Sequence, residues 1–387
     1  MLARARRAAR TYGPFLVVVL VAGLLASPSA NDFFQFWWAG HLIAIGRSPY
    51  DPAAWSAALA YGPAAGAVAH NCVAPDAAAC LWIYPPWTAW LFAPTGALSP
   101  EAGIAIQRIA LLSALAIGGV LWVRAARATD ASVAPLLVAL AASAPFVRDV
   151  VTGHFEGLLL IGLFLLATGL RDTQTWRVLA GALLLALKPH LFLALAPLVG
   201  VWLVSRRAYR ALAVTTLALG ALAVAGFASD PSAWPALVGR STAKQELAGG
   251  STWGFAGAVA GPAAPAVAAI LVVVALVAAV LAWRGSRPPD RAAVLVGAGS
   301  ALSLGVTPYL QSYDVVLLFP AVAVAFAMLP RPAAVVAAAF VIAATWLAYV
   351  LELSGDPRAF AGALPAVTLV ALALSVRPRL ATTLRPA

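Results

Sequence analysis

A single carboxylate, Asp32, stands in the aromatic stretch "SANDFFQFWWAG" (29–40), directly after the first apolar run of the chain. A carboxylate there can take the proton from a hydroxyl group as its oxygen attacks an electrophilic carbon. The plainer account is that it ends a helix at the water interface. Three cations are candidates for holding a phosphate: Lys188 and His190 in "LALKPHLFLALAPL" (185–198), and Arg148 in "FVRDVVTGHFEGLLL" (146–160). Such groups bind phosphate oxygens through charge-assisted hydrogen bonds, although a lysine at a span end can also snorkel to lipid headgroups. His154 and Glu156, with Gln311, Tyr313 and Asp314 from "TPYLQSYDVVLLFP" (307–320), offer rings and polar tips suited to the faces and hydroxyls of a sugar. Each has a plainer role too. Glu156 suits a helix N-terminus, the tyrosines suit an interfacial aromatic belt, and Arg148 with Asp149 reads equally well as a solvated turn.

The elements that must position these groups are helices in a membrane. The chain has 387 residues, 63% hydrophobic and only 10% charged, against about 25% charged in ordinary soluble domains. Apolar runs near 20 residues recur from end to end, each able to cross roughly 30 Å of hydrocarbon. They are continuous and rich in Ala, Leu and Val, unlike the alternating strands of a β-barrel. We expect an all-α polytopic bundle forming one domain over 1–387. Twelve spans are predicted near 12–30, 103–123, 132–147, 155–170, 178–188, 190–204, 209–228, 264–283, 291–307, 315–329, 333–351 and 362–376. The short, proline-rich segment 85–98 reads as re-entrant or as a half-helix packed in protein.

With both termini in the cytoplasm, this map places 18 of the 25 basic residues on the cytoplasmic side, including Arg124, Arg171, Arg177, Arg206, Arg284, Arg291 and Arg331. That asymmetry is the usual topology signal. It also accounts for the net charge of +11 without nucleic acid, since no aromatic-interleaved basic patch is present. Of the 14 acids, only Asp130, Asp172 and Asp290 fall inside. The N-terminal "MLARARRAAR" followed by an apolar run resembles a signal peptide. An uncleaved first span is preferred, because cleavage near "ASPSA" would sever the chain just before Asp32.

Two long extracytoplasmic loops are expected, 31–84 and 229–263, and loops of that length are commonly functional. Cys72 and Cys80 are the only cysteines and lie in the first loop. An oxidising outer compartment permits a disulfide between them, with two unpaired thiols as the alternative. No GxxxxGK[ST], HExxH or paired CxxC occurs. The four histidines are scattered, so no metal site and no cofactor can be argued. Outer acids, a cation suited to lipid phosphate and no nucleotide motif together suggest a lipid-bound donor meeting a hydrophilic acceptor at the outer membrane face. Asp32 would then serve as base, and a phosphate leaving group would be stabilised by Lys188 or Arg148.

The same residues carry a resemblance. "DFFQFWWAGHLIAIGRSPYD" (32–51), "YPPWTAWLFAP" (84–94) and "ALKPHLFLALAPLVGVWLVSRRAYRAL" (186–212) resemble the polyprenyl-phosphate-mannose-dependent mannosyltransferases of glycosyltransferase family 87, which are GT-C enzymes. The resemblance implies a GT-C helical bundle with Asp32 as catalytic base. It also implies transfer of a hexose, most readily mannose, or otherwise of the pentose arabinofuranose, from a polyprenyl phosphate to a glycolipid or glycan. The expected setting is a bacterial plasma membrane, with the site extracytoplasmic. The high Ala, Leu and Arg content fits a GC-rich bacterial genome. Where the family often shows "GQxN", this chain has Gly153-His154-Phe155-Glu156; where it shows "KPQ", the chain has Lys188-Pro189-His190. A lipid-linked sugar flippase and a catalytically inactive membrane subunit are the rival readings. A flippase predicts polar clusters on both sides of the membrane.

Overall fold

The computed structural model describes residues 12–23 in part, and 31–58, 82–126, 130–238, 251–286, 291–307, 310–353 and 362–376. Cys72, Cys80 and Tyr309 lie outside the described residues. No strand occurs among the described residues. The helices are α1 (Asn31–Ala44), α2 (Pro52–Ser56), α3 (Pro86–Gly96), α4 (Pro100–Ala125), α5 (Asp130–Ala141), α6 (Ala144–Thr152), α7 (Glu156–Asp172) and α8 (Thr175–Leu185). They continue with α9 (Leu195–Ser205), α10 (Tyr209–Ser229), α11 (Thr252–Ala260), α12 (Ala264–Gly285), α13 (Arg291–Val306), α14 (Phe319–Ala327), α15 (Arg331–Leu353) and α16 (Leu364–Val376). The described residues between 12 and 23 are also helical.

By length and composition, four segments among the described residues can cross a bilayer: Pro100–Ala125, Tyr209–Ser229, Thr252–Gly285 and Arg331–Leu351. The bent pair Ser132–Ala141 and Ala144–Thr152 makes a fifth if counted as one span. This is a helical membrane protein, but element lengths do not establish twelve spans. The physical reason is that prolines and the polar residues near 143–156, 188–190 and 311–314 cut long apolar runs into half-length helices. Thr175–Leu185, Leu195–Ser205 and Asp314–Ala327 are three such pieces. The run near 132–147 bends by 51° at Ala142-Ser143. Pro145 lies in the first turn of α6 and has no N–H to donate to the Ala141 carbonyl, so the helix of 132–141 cannot run on unbroken.

The helices best able to span also show the most apolar surface. Leu217 on α10, and Val336 and Phe340 on α15, are exposed at 73%, 70% and 63%. On a helix of this composition such a stripe faces lipid. The polar side chains instead gather inside the bundle, which is the arrangement that hydrocarbon demands.

Residues 31–44, expected to open the first outer loop, form a buried helix. Phe33, Phe34, Phe36, Trp37 and Trp38 of α1 are all at most 3% exposed. Phe36 stacks on Phe92 with ring centroids 4.8 Å apart and meets Phe155 at 5.3 Å. The helix is admitted because Gly40 lies directly against the backbone of α3: a Cβ there would fall on the Phe92 carbonyl.

The "YPPW" stretch explains how α3 serves the site. Pro86 begins α3, where its missing N–H would be unsatisfied in any case. The next two residues reach the end of α8, whose last carbonyls have no helical partner. Trp87 Nε1 donates to the Ala186 carbonyl at 2.8 Å, and Thr88 Oγ1 donates to the Leu187 carbonyl at 3.1 Å. On the far side of the break, the backbone N–H groups of Ala194 and Leu195 donate to Ser303 Oγ at 3.1 and 2.9 Å. Lys188 is therefore held on a chain break anchored at both ends. Thr88→Val leaves the buried Leu187 carbonyl unpaired. We expect a loss of about 1 kcal/mol in stability, read as a lower midpoint in thermal unfolding of the detergent-solubilised protein.

Candidate active site

Five segments converge on one buried polar cluster. Asp32 comes from the first turn of α1. His154 occupies the three-residue break between α6 and α7, and Glu156 opens α7. Lys188 precedes the 3-10 turn Pro189–Phe192, and Asp314 opens the 3-10 turn Asp314–Leu318. Lys188 stands before a proline, which disfavours helical backbone there. Its angles, φ −136° and ψ 69°, take it out of the helix.

The ammonium of Lys188 is 2% exposed as a residue. Its Nζ donates to Glu156 Oε1, and to Asp314 Oδ1 at 3.0 Å. Asp314 is steadied in turn, because its Oδ2 accepts from the Gln311 backbone N–H at 2.9 Å. Nζ also stands 3.4 Å from His154 Nδ1. The opposite ring nitrogen, Nε2, lies 2.7 Å from Asp32 Oδ2. One imidazole therefore bridges the buried lysine and the more accessible Asp32, whose side chain is 16% exposed. The ring itself is clamped: it stacks on Tyr313 with centroids 3.5 Å apart and receives Phe36 in a T-shaped contact at 5.7 Å.

Gly153 makes this placement possible. It ends α6 with φ 85°, in the left-handed region that favours glycine. A Cβ there would also meet the ring of Phe33, the neighbour of Asp32. Gly153→Ala combines a disfavoured φ with overpacking. A loss of about 2–4 kcal/mol is expected, measurable as a fall in thermal midpoint together with reduced turnover.

Arg148 lies on α6, half-buried, with its guanidinium carbon 5.9 Å from the Tyr313 ring centroid and 5.3 Å from that of Tyr349. Planar guanidinium groups favour such faces. His190 is half-buried on the turn after Lys188. Asp149, the neighbour of Arg148, is 2% exposed, and its carboxyl group meets that of Glu156. The sequence offered a solvated turn for Asp149. The signal against it was the flanking pattern, in which Phe146 and Val150 are apolar one helical turn apart, on the side to which Asp149 belongs. Tyr349, far away in sequence, carried no signal at all.

The cluster sits at one end of helices whose other ends carry arginine. α7 begins at Glu156 and ends at Arg171-Asp172. α8 carries Arg177 in its first turn and leads to Lys188, while α13 begins at Arg291 and leads towards 311–314. At the arginine end, Arg171 Nε donates to Asp172 Oδ1 at 2.8 Å and Arg177 Nη1 to Oδ2 at 3.0 Å. Chiefly the bond from Arg171 holds Asp172 below the ordinary carboxylate range.

Beside the break, a cavity of about 400 Å³ opens between α7, α8, α9 and α10. Trp87 and Pro189 stand at its wall, and Leu185, Phe192, Leu212 and Leu222 extend it. From Leu212 to Leu222 the helix rises about 15 Å. The lining is almost wholly apolar.

Residues 82–308 match the model of glycosyltransferase family 87. The chain belongs to this family. Membership implies a glycosyltransferase, with a sugar donor and an acceptor as substrates in a membrane setting. The matched span contains Arg148, His154, Glu156, Lys188 and His190, whereas Asp32, Gln311, Tyr313 and Asp314 lie outside it and join the site through the fold. No curated protein and no solved structure matches the chain.

Proposed function

We propose that this family 87 chain is an inverting hexosyltransferase. It moves a sugar, mannose in the first instance, from a polyprenyl phosphate to a glycolipid or glycan acceptor. Asp32 is the base. It accepts the proton of an acceptor hydroxyl as that oxygen attacks the anomeric carbon. The carbon–oxygen bond to phosphate breaks, and the polyprenyl phosphate departs with the electron pair. A single base with no covalent enzyme intermediate gives inversion at the anomeric carbon.

The observation that carries this reading is the contact of Asp32, the accessible acid, with the buried His154–Lys188–Glu156–Asp314 cluster. Arg148 and His190, half-buried beside it, are the ligands for the donor phosphate. Lys188 supplies positive charge from behind His154, its own N–H groups being engaged by Glu156 and Asp314. Tyr313 and Gln311 are contacts for the sugar and acceptor. The apolar cavity beside Pro189 receives the start of the polyprenyl tail. A GT-C bundle of twelve spans accommodates these elements, with α8 and α9 each crossing as a short span. The arginine ends of α7, α8 and α13 lie in the cytoplasm by the positive-inside rule. That orientation sets the site at the extracytoplasmic face of a bacterial plasma membrane.

The test is donor discrimination. Membranes containing the chain are given radiolabelled polyprenyl-phosphate mannose, polyprenyl-phosphate arabinofuranose or a nucleotide sugar. Label should pass to the glycolipid or glycan fraction from polyprenyl-phosphate mannose; transfer from the arabinofuranose donor alone would overturn the assignment of a hexose. Direct transfer from the nucleotide sugar alone, with carrier synthesis blocked, would overturn the reading.

A further inference from the structure

Lys188 is unusual for a lysine in an apolar bundle: it is buried and paired, yet it also addresses a histidine. We propose that Lys188 fixes the tautomer of His154 and, through that ring, aims Asp32. Lys188 and His154 are thus positioning residues for the base, a role that rests on the reading of Asp32 given above.

Donors and acceptors around the ring decide its tautomer. An ammonium only donates, and one bonded to both Glu156 Oε1 and Asp314 Oδ1 keeps its charge. The ring nitrogen 3.4 Å from it, Nδ1, must then present a lone pair, since an N–H there would face a cation. Glu156 Oε2 lies 3.8 Å from Nδ1, too far to accept a proton from it. A neutral imidazole with bare Nδ1 carries its hydrogen on Nε2. Nε2 is the atom 2.7 Å from Asp32 Oδ2. The contact is close but off-line for a hydrogen bond, as contacts in ligand-free sites often are before substrate tightens them. Stacking on Tyr313 and the edge contact with Phe36 oppose a ring flip that would put carbons where the two nitrogens stand. A glutamine at position 154 would also carry a donor, and would need no lysine to choose its tautomer.

Two measurements test this on the full chain. The first is 15N NMR of histidine-labelled protein in nanodiscs, with the His154 signals identified by their loss in His154→Gln. At neutral pH, His154 should show a protonated Nε2 and a bare Nδ1. In the triple variant Lys188→Met, Glu156→Gln, Asp314→Asn, which removes the lysine without stranding its carboxylates, that preference should disappear. The second is turnover. His154→Phe keeps the ring stacked but removes the donor. Its kcat should fall on the order of 100-fold, part of what a well-placed base contributes, with KM for the donor changed far less. His154→Gln should recover a substantial share.

A protonated Nδ1 in the wild type would overturn the proposal. So would wild-type turnover in His154→Phe, or a glutamine variant no better than phenylalanine. The NMR result is independent of turnover. A chain with the expected tautomer that transfers no sugar would overturn the reaction assigned to Asp32 while upholding the coupling of Lys188 to His154.

Discussion

Asp32→Asn lowers the rate of sugar transfer by roughly 10²- to 10⁴-fold, the share of catalysis that a positioned general base supplies. The amide fills the same volume and still meets His154 Nε2, but it cannot take up a proton. Stability should barely change, because Asp32 lies at the accessible end of the cluster, with its side chain 16% exposed. KM for the donor should stay near the wild-type value, since in the proposed role the group acts on the acceptor hydroxyl. Initial rates with saturating donor and acceptor check this. A glutamate in the same place, one methylene out of position, should recover part of the loss. Transfer at an undiminished rate in Asp32→Asn would remove this residue from the base role.

Lys188→Met produces the largest change in stability. The substitution removes one cation from between two carboxylates that are at most 2% exposed as side chains. Breaking a buried ion pair by deleting one partner costs about 3–5 kcal/mol, because the charge left behind is uncompensated. Replacing all three residues together by Met, Gln and Asn removes the stranded charges as well, and should return most of that loss. Thermal unfolding of the single and triple variants reads the difference directly. Equal midpoints for the two would mean that Glu156 and Asp314 do not depend on Lys188.

The helical membrane class was legible from composition and from apolar runs alone, because hydrocarbon permits few other solutions. The elements near the site were less so. A hydropathy pattern reports that residues 178–204 are apolar, but not that Trp87 and Thr88 cap the carbonyls of one piece while Ser303 caps the amides of the next. The aromatic helix 31–44 read as the start of a loop, because nothing local shows that α3 presents a backbone to Gly40. Asp32, His154, Glu156, Lys188 and Asp314 were visible as ionisable groups in apolar surroundings, each expensive without partners. Their pairing was not visible, since Lys188 and Asp314 are 126 residues apart. Sequence alone gave Lys188 the look of a phosphate ligand. Only its geometry places it behind the histidine.

The central claim is that a lone base drives direct displacement at the anomeric carbon. The most direct measurement is the configuration of the new glycosidic bond. Purified wild-type chain is given polyprenyl-phosphate mannose of known anomeric form, and the product linkage is assigned by NMR from its one-bond carbon–proton coupling. Inversion is the predicted result, and retention would contradict the account, because a single in-line displacement by the acceptor oxygen must invert the anomeric carbon.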